Sequence, residues 1–171
     1  MKLFAKSMIV LLGLYCPGGL TGGEKIVLPL DSDFMVKAAS CNNAEIQIGK
    51  LASSRSDSPN VKDFAARLVE DHQSAYDRLA ELFKNRKIGV AAGLEKPTKD
   101  ELSRLGGLRG TEFDRAFLKH MIDEHKKAIS VFENQIKKGK EQEVTDYAKR
   151  TLPELQKHLK RAEELAKTEG K

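Results

Sequence analysis

Apolar residues recur every three or four positions along four separate stretches of this chain, and that period commits it to packed amphipathic helices. The first stretch reads Phe34, Ala38, Cys41, Glu45, Ile48, Ala52, and the second Val61, Phe64, Leu68, His72, Ala75, Leu79, Leu82. The third reads Phe117, Met121, His125, Ala128, Phe132, Ile136, and the fourth Val144, Ala148, Leu155, Ala162, Leu165, with His158 three residues after Leu155. Alanine, leucine, lysine, glutamate and arginine abound, tryptophan is absent and only 6% of residues are aromatic, so a sheet has little to build on. The fold class is all-α.

Local punctuation divides the stripes. Asp31 and Ser32 are candidate caps for a helix over 33–54. Ser58 followed by Pro59 is an N-cap with proline at the first helical position, opening a helix to about residue 86. Residues 87–110 are rich in glycine and contain Pro97, which predicts a connection carrying a short helix over 98–105. Thr111 and Asp114 resemble a capping box for a helix that stops at Gly139, and a last helix runs over 141–167 with Pro153 inside it, predicting a kink or break near 149–153.

A helix of about 28 residues is about 42 Å long. The joints near 55–58 and at 139 are too short for anything but antiparallel hairpins, whereas the 87–110 connection can cross the length of a bundle. Two hairpins joined by such a crossover predict a ferritin-like four-helix bundle over 33–167. A repeat supports the pairing, since "VKDFAARLVEDHQ" in the second helix returns as "VTDYAKRTLPELQKH" in the fourth.

The stripes carry chemistry as well as packing. His72, His125 and His158 lie on or beside the apolar faces of three helices, and Glu45 lies on that of the fourth. One histidine on an apolar face is usually a hydrogen-bonded core residue; three of them with a carboxylate would leave several polar groups unpaired unless one metal ion satisfied them together. His72, His125 and His158 are therefore the candidate ligands and Glu45 the candidate fourth. Counted from the hairpin turns, each pair of ligands is staggered by about 5 residues, or about 7 Å. Asp71 and Glu154 occupy equivalent places in the repeats and are candidates for orienting the imidazoles or for coordination. His120 sits off the stripe and is expected to face solvent. An imidazole-rich site suits zinc, copper or iron better than magnesium or calcium. The competing reading is a metal-free envelope stress or interaction module in which buried histidines pair with Asp71 and Glu154.

The start of the chain speaks to location. Lys2 and Lys6 precede a short apolar run from Met8 to Cys16 and then small residues, the anatomy of an export signal over 1–23, with 24–32 as a short linker. The expected address is the periplasm or the extracellular side; an uncleaved anchor is the alternative, and lipidation at Cys16 is disfavoured by Gly13 where a leucine is usual. Without 1–23 the chain keeps 28 basic and 25 acidic residues, interleaved as on solvated helix faces, so nucleic acid is not an expected partner. Cys41 is then the sole cysteine, which excludes an intramolecular disulfide. No nucleophile dyad, phosphate-cradling loop or flavin motif is visible, homo-oligomerisation stays open, and a metal ion is the one partner the residues specify.

The segments "AEIQIGKLA", "VKDFAARLVEDH", "FDRAF", "DEH" and "TLPELQKHL", in this order over residues 33–166, resemble a bacterial family of exported, ferritin-like domains of unknown function whose members are often labelled "predicted outer membrane protein". The resemblance implies a four-helix bundle with Glu45, Asp71, His72, His125, Glu154 and His158 at the characteristic polar positions, and no established activity. Di-iron relatives use Glu-x-x-His on two helices. Here Ile122 stands three residues before His125 and Leu155 three before His158, so a mononuclear site is expected.

Overall fold

The computed structural model describes residues 29–84, 86, 88 and 93–169; the predicted export signal and residues 24–28 of the linker lie outside them. Five helices follow one another: α1 (Leu30–Arg55), α2 (Pro59–Lys84), the short α3 (Lys96–Gly106), α4 (Gly110–Lys138) and α5 (Gln142–Thr168), with no strand among the described residues. The all-α expectation holds.

The long helices form two hairpins, α1 on α2 and α4 on α5, and the hairpins meet through α2 against α5 and α1 against α4. Side chains give the directions. Phe34 near the start of α1 packs edge-on against Phe132 near the end of α4, ring centroids 4.9 Å apart. Asn60 at the start of α2 donates to Glu169 beyond α5 at 2.8 Å, while Arg86 pairs with Glu141 and Glu143 at the head of α5. Each helix is thus antiparallel to both of its neighbours, and α2 and α4 run the same way. α3 lies against α1 and α4 and drives Leu105 into the core.

The core has two apolar halves. One gathers Ile48, Val61, Phe64, Leu68, Phe113, Phe117, Met121 and Leu165; the other gathers Phe34, Met35, Leu79, Phe83, Phe132, Val144, Tyr147 and Leu155. Between them the buried residues are polar: Asn42, Glu45, His72, His125, Thr151 and His158. A layer of that kind across a helical core raises the question of what satisfies it.

Several local expectations change in detail. Ser58 caps α2 as expected, its hydroxyl accepting from Val61 N–H at 3.3 Å. Asp31 does not cap α1, which starts at Leu30. It is buried at the far joint instead, accepting from Gln135 Nε2 at 2.5 Å and from Lys140 N–H at 3.1 Å; burial pushes its carboxyl up, but those hydrogen bonds together hold it below the usual value. Thr111 is not a cap either, because α4 begins at Gly110, and Asp114 is buried rather than capping. α5 runs unbroken through Pro153. The proline ring and Lys149, whose carbonyl loses its partner, both lie on the exposed face, where water can serve that carbonyl.

Two glycines are required by space. Gly49 lets α1 approach α2, where a Cβ would meet Val69 Cγ2 at 2.8 Å. Gly139 closes the α4–α5 joint with φ −57°, an angle any residue adopts, so its need is not conformational. A Cβ there would sit 2.6 Å from the Gln135 carbonyl oxygen and 2.8 Å from Thr145 Oγ1. Gly139→Ala should therefore destabilise by about 1–3 kcal/mol, lowering the melting temperature by about 2–4 °C for each kcal/mol. Thermal denaturation monitored by circular dichroism checks this.

Candidate metal centre

His72 reaches the centre from α2, His125 from α4 and His158 from α5, each 5% exposed or less. One ring nitrogen from each lies within 4.8 Å of the others. Among the described residues this is the sole group of three metal-type donors so arranged.

The hydrogen bonds on the outer side of each ring decide which nitrogens turn inward. His72 Nδ1 meets Asn42 Oδ1 at 2.9 Å, and Asn42 in turn presents Nδ2 to Tyr147 Oη at 3.2 Å. His125 Nδ1 meets the Met121 carbonyl oxygen at 2.9 Å. His158 Nε2 meets Asp71 Oδ2 at 3.0 Å. Each of those partners is an acceptor, so each outer nitrogen carries the proton and the inner one keeps its lone pair. The inner atoms are then His72 Nε2, His125 Nε2 and His158 Nδ1.

Their spacing is that of ligands. His125 Nε2 and His158 Nδ1 are 3.3 Å apart, the separation of two nitrogens on a tetrahedral ion with bonds of about 2.0 Å. His72 Nε2 is fully buried and has no hydrogen-bond partner. A lone pair left so in a dry core costs about 1–3 kcal/mol.

Electrostatics keep the rings in the form that binds metals. Burial, reinforced by His125 and His158, holds His72 well below the ordinary imidazole value. Burial and the neighbouring His158 push His125 down to about 4, against the pull of the Met121 carbonyl. Burial also lowers His158, against the opposing effect of Asp71. At neutral pH all three are uncharged.

The other predicted residues are distributed around this centre. Asp71 orients His158 and is itself held by Arg67 Nε at 2.8 Å. Glu154 pairs with Arg78 at 3.1 Å and, with Asp71, lines a cleft of about 440 Å³ between α2 and α5 that reaches His158 from solvent. Glu45 is buried but does not join the histidine group. His120 does not simply face solvent: its side chain is 19% exposed, with Nδ1 3.1 Å from Glu101. Asn42 is the residue that sequence reasoning missed. The signal was the hairpin register, since Asn42 precedes Arg55 at the end of α1 by as many residues as His72 follows Pro59 at the start of α2.

The chain belongs to the DUF4142 family, a domain of unknown function. The family's sequence profile matches residues 24–165. No curated protein sequence matches the chain. Among solved structures it is similar to a DUF305 fragment from Deinococcus radiodurans, at 14% identity and TM-score 0.72 over 81% of this chain and 95% of that one. It is similar to a DUF305 protein from Streptomyces coelicolor at 11% identity and TM-score 0.72, over 82% and 92% of the two chains. CopM in its Cu(II)-bound form aligns at 17% identity and TM-score 0.69, over 80% and 95%. At these identities the likeness is one of fold, and none of these names carries the outer-membrane label. No helix among the described residues is long and apolar enough to cross a membrane.

The lowered imidazole values predict a pH response of the metal-free protein. The folded state binds fewer protons than the unfolded chain, whose histidines titrate near 6.5, so stability is level above that value and falls as pH drops below it. His125 alone should account for about 2 kcal/mol of loss between about pH 6.5 and 4.5. Urea denaturation of wild type and His125→Gln across that range should show the smaller pH dependence in the variant.

Proposed function

We propose that this protein binds one late transition-metal ion, copper ahead of zinc or iron, through His72 Nε2, His125 Nε2 and His158 Nδ1. The observation that carries the reading is the unpartnered His72 lone pair, converging with two others whose rings are tied from outside. A purely structural network would leave that nitrogen unsatisfied, and it would set two lone pairs against each other at 3.3 Å. One cation removes both problems.

The donor set narrows the ion to the late transition metals, and likeness in fold leans toward copper. Three neutral imidazoles with no carboxylate among them suit copper or zinc and give magnesium or calcium nothing to bind. CopM, similar in fold, has been solved with Cu(I), Cu(II) and silver bound. The hairpin pairing is compatible with a ferritin-like bundle, but without bridging carboxylates a di-iron oxidase mechanism has no ligands here. Buffering of copper, with protection against oxidants as its consequence, is the role such a site can fill. An export signal over 1–23 and the secreted description of the Streptomyces coelicolor neighbour support a location outside the cytoplasm.

Tag-free protein should take up one Cu(I) per chain in competition with a chromogenic chelator. Replacing His72, His125 or His158 by Ala should each weaken binding by at least about tenfold, while His120→Ala leaves it unchanged. The ion should also raise the melting temperature of wild type and not of the three ligand variants, because a ligand of the folded state stabilises it by mass action. Equal behaviour of all four variants would return the histidines to a structural role.

A further inference from the structure

The triad leaves the buried acid Glu45 unexplained. Glu45 is 2% exposed, its Oε2 is fully buried without a hydrogen-bond partner, and no basic side chain among the described residues pairs with it. It forms part of the wall of a cleft of about 320 Å³ between α1, α3 and α4, which also receives Cys41, Glu101, His120 and Glu124. Cys41 lies one turn before Glu45 on the same face of α1 and is free.

The charges around the cleft favour a cation. Glu45, Glu95, Glu101 and Glu124 all line it, and Lys37, the one lysine there among the described residues, is tied to Asp33 at 2.7 Å. Glu101 is shared between Arg104 at 2.6 Å and His120 at 3.1 Å, and Glu124 pairs outward with Lys127 at 2.7 Å. None of these contacts reaches Glu45. Burial, then the nearby Glu124, pushes its carboxyl up to about 8, and burial with Glu45 and Glu124 pushes the Cys41 thiol up as well. Both groups wait in protonated form for a counter-charge.

We propose that this cleft is a second cation site, separate from the histidine triad, which takes a borderline divalent ion of the zinc class on Cys41 Sγ and the Glu45 carboxylate. Thiolate and carboxylate oxygen, with the His120 imidazole lining the same cleft, are the mixed donors such ions accept. Binding sends the thiol and carboxyl protons to solvent, so the site becomes charged only when the ion arrives. Glu124 and His120 complete it by side-chain rotation, since the cleft donors do not stand within 4.8 Å of one another as the triad does. α1 therefore serves both centres, turning Asn42 to His72 and Cys41 with Glu45 to the cleft.

Cadmium is the probe, because a cadmium thiolate has an ultraviolet charge-transfer band. Titration of tag-free protein, kept reduced with a phosphine, should develop one such band per chain. Cys41→Ser should abolish it, and Glu45→Gln, an isosteric change, should weaken cadmium binding by at least about tenfold while leaving Cu(I) uptake by the triad intact. His72→Ala should keep the band. A wild type without the band, an affinity indifferent to Glu45→Gln, or a band lost in His72→Ala would each overturn the second site, whatever the triad is found to bind.

Discussion

Three hydrogen bonds that point away from the centre govern what the centre can be. Asn42, the Met121 carbonyl and Asp71 each accept a hydrogen bond from the outer N–H of an imidazole, and by doing so they turn three lone pairs toward one another in the dry middle of the bundle. Without those acceptors each ring could flip or change tautomer and the histidines could pair among themselves. With them, the His72 lone pair stays unsatisfied. Outer partners of this kind set both the direction and the basicity of metal-binding imidazoles.

The fold supplies that arrangement through register. The two hairpins bring α2, α4 and α5 together between two apolar halves of the core, which exclude water from the layer and keep the rings neutral. Exclusion is incomplete on one side, where Asp71 is 21% exposed beside the α2–α5 cleft. Of the three rings, His158 is the one that lines that cleft. On the opposite flank, Glu45 and Cys41 give α1 a different set of donors.

Much of this was legible in the sequence. Helical spacing located all four long helices and put His72, His125 and His158 on inward faces, because periodicity reports directly which side of a helix is buried. Asp71 was marked by its place in the repeat. Glu45 was harder: the stripe correctly gave its burial, but facing inward does not fix height along the axis. The stagger of about 5 residues between Glu45 and His72 already pointed one turn earlier on α1, where Asn42 stands. His125 and His158 meet because imidazole side chains bridge the smaller offset measured from the helix ends, with no break at Pro153 required. The caps failed where tertiary contacts outbid local ones, as when Asp31 bonded the α4–α5 joint in preference to its own helix. The α1–α3–α4 cleft was not legible, since nothing in the pattern of 87–110 fixes where α3 docks.

Long-range proton–nitrogen NMR of the histidine rings reads whether the three lone pairs converge. In the metal-free protein near neutral pH, the account predicts His72 and His125 protonated at Nδ1 and His158 at Nε2, with one equivalent of Ag(I) shifting His72 Nε2, His125 Nε2 and His158 Nδ1 while His120 stays put. A proton on any of those three inner nitrogens, or a silver titration that leaves them unmoved, would contradict it.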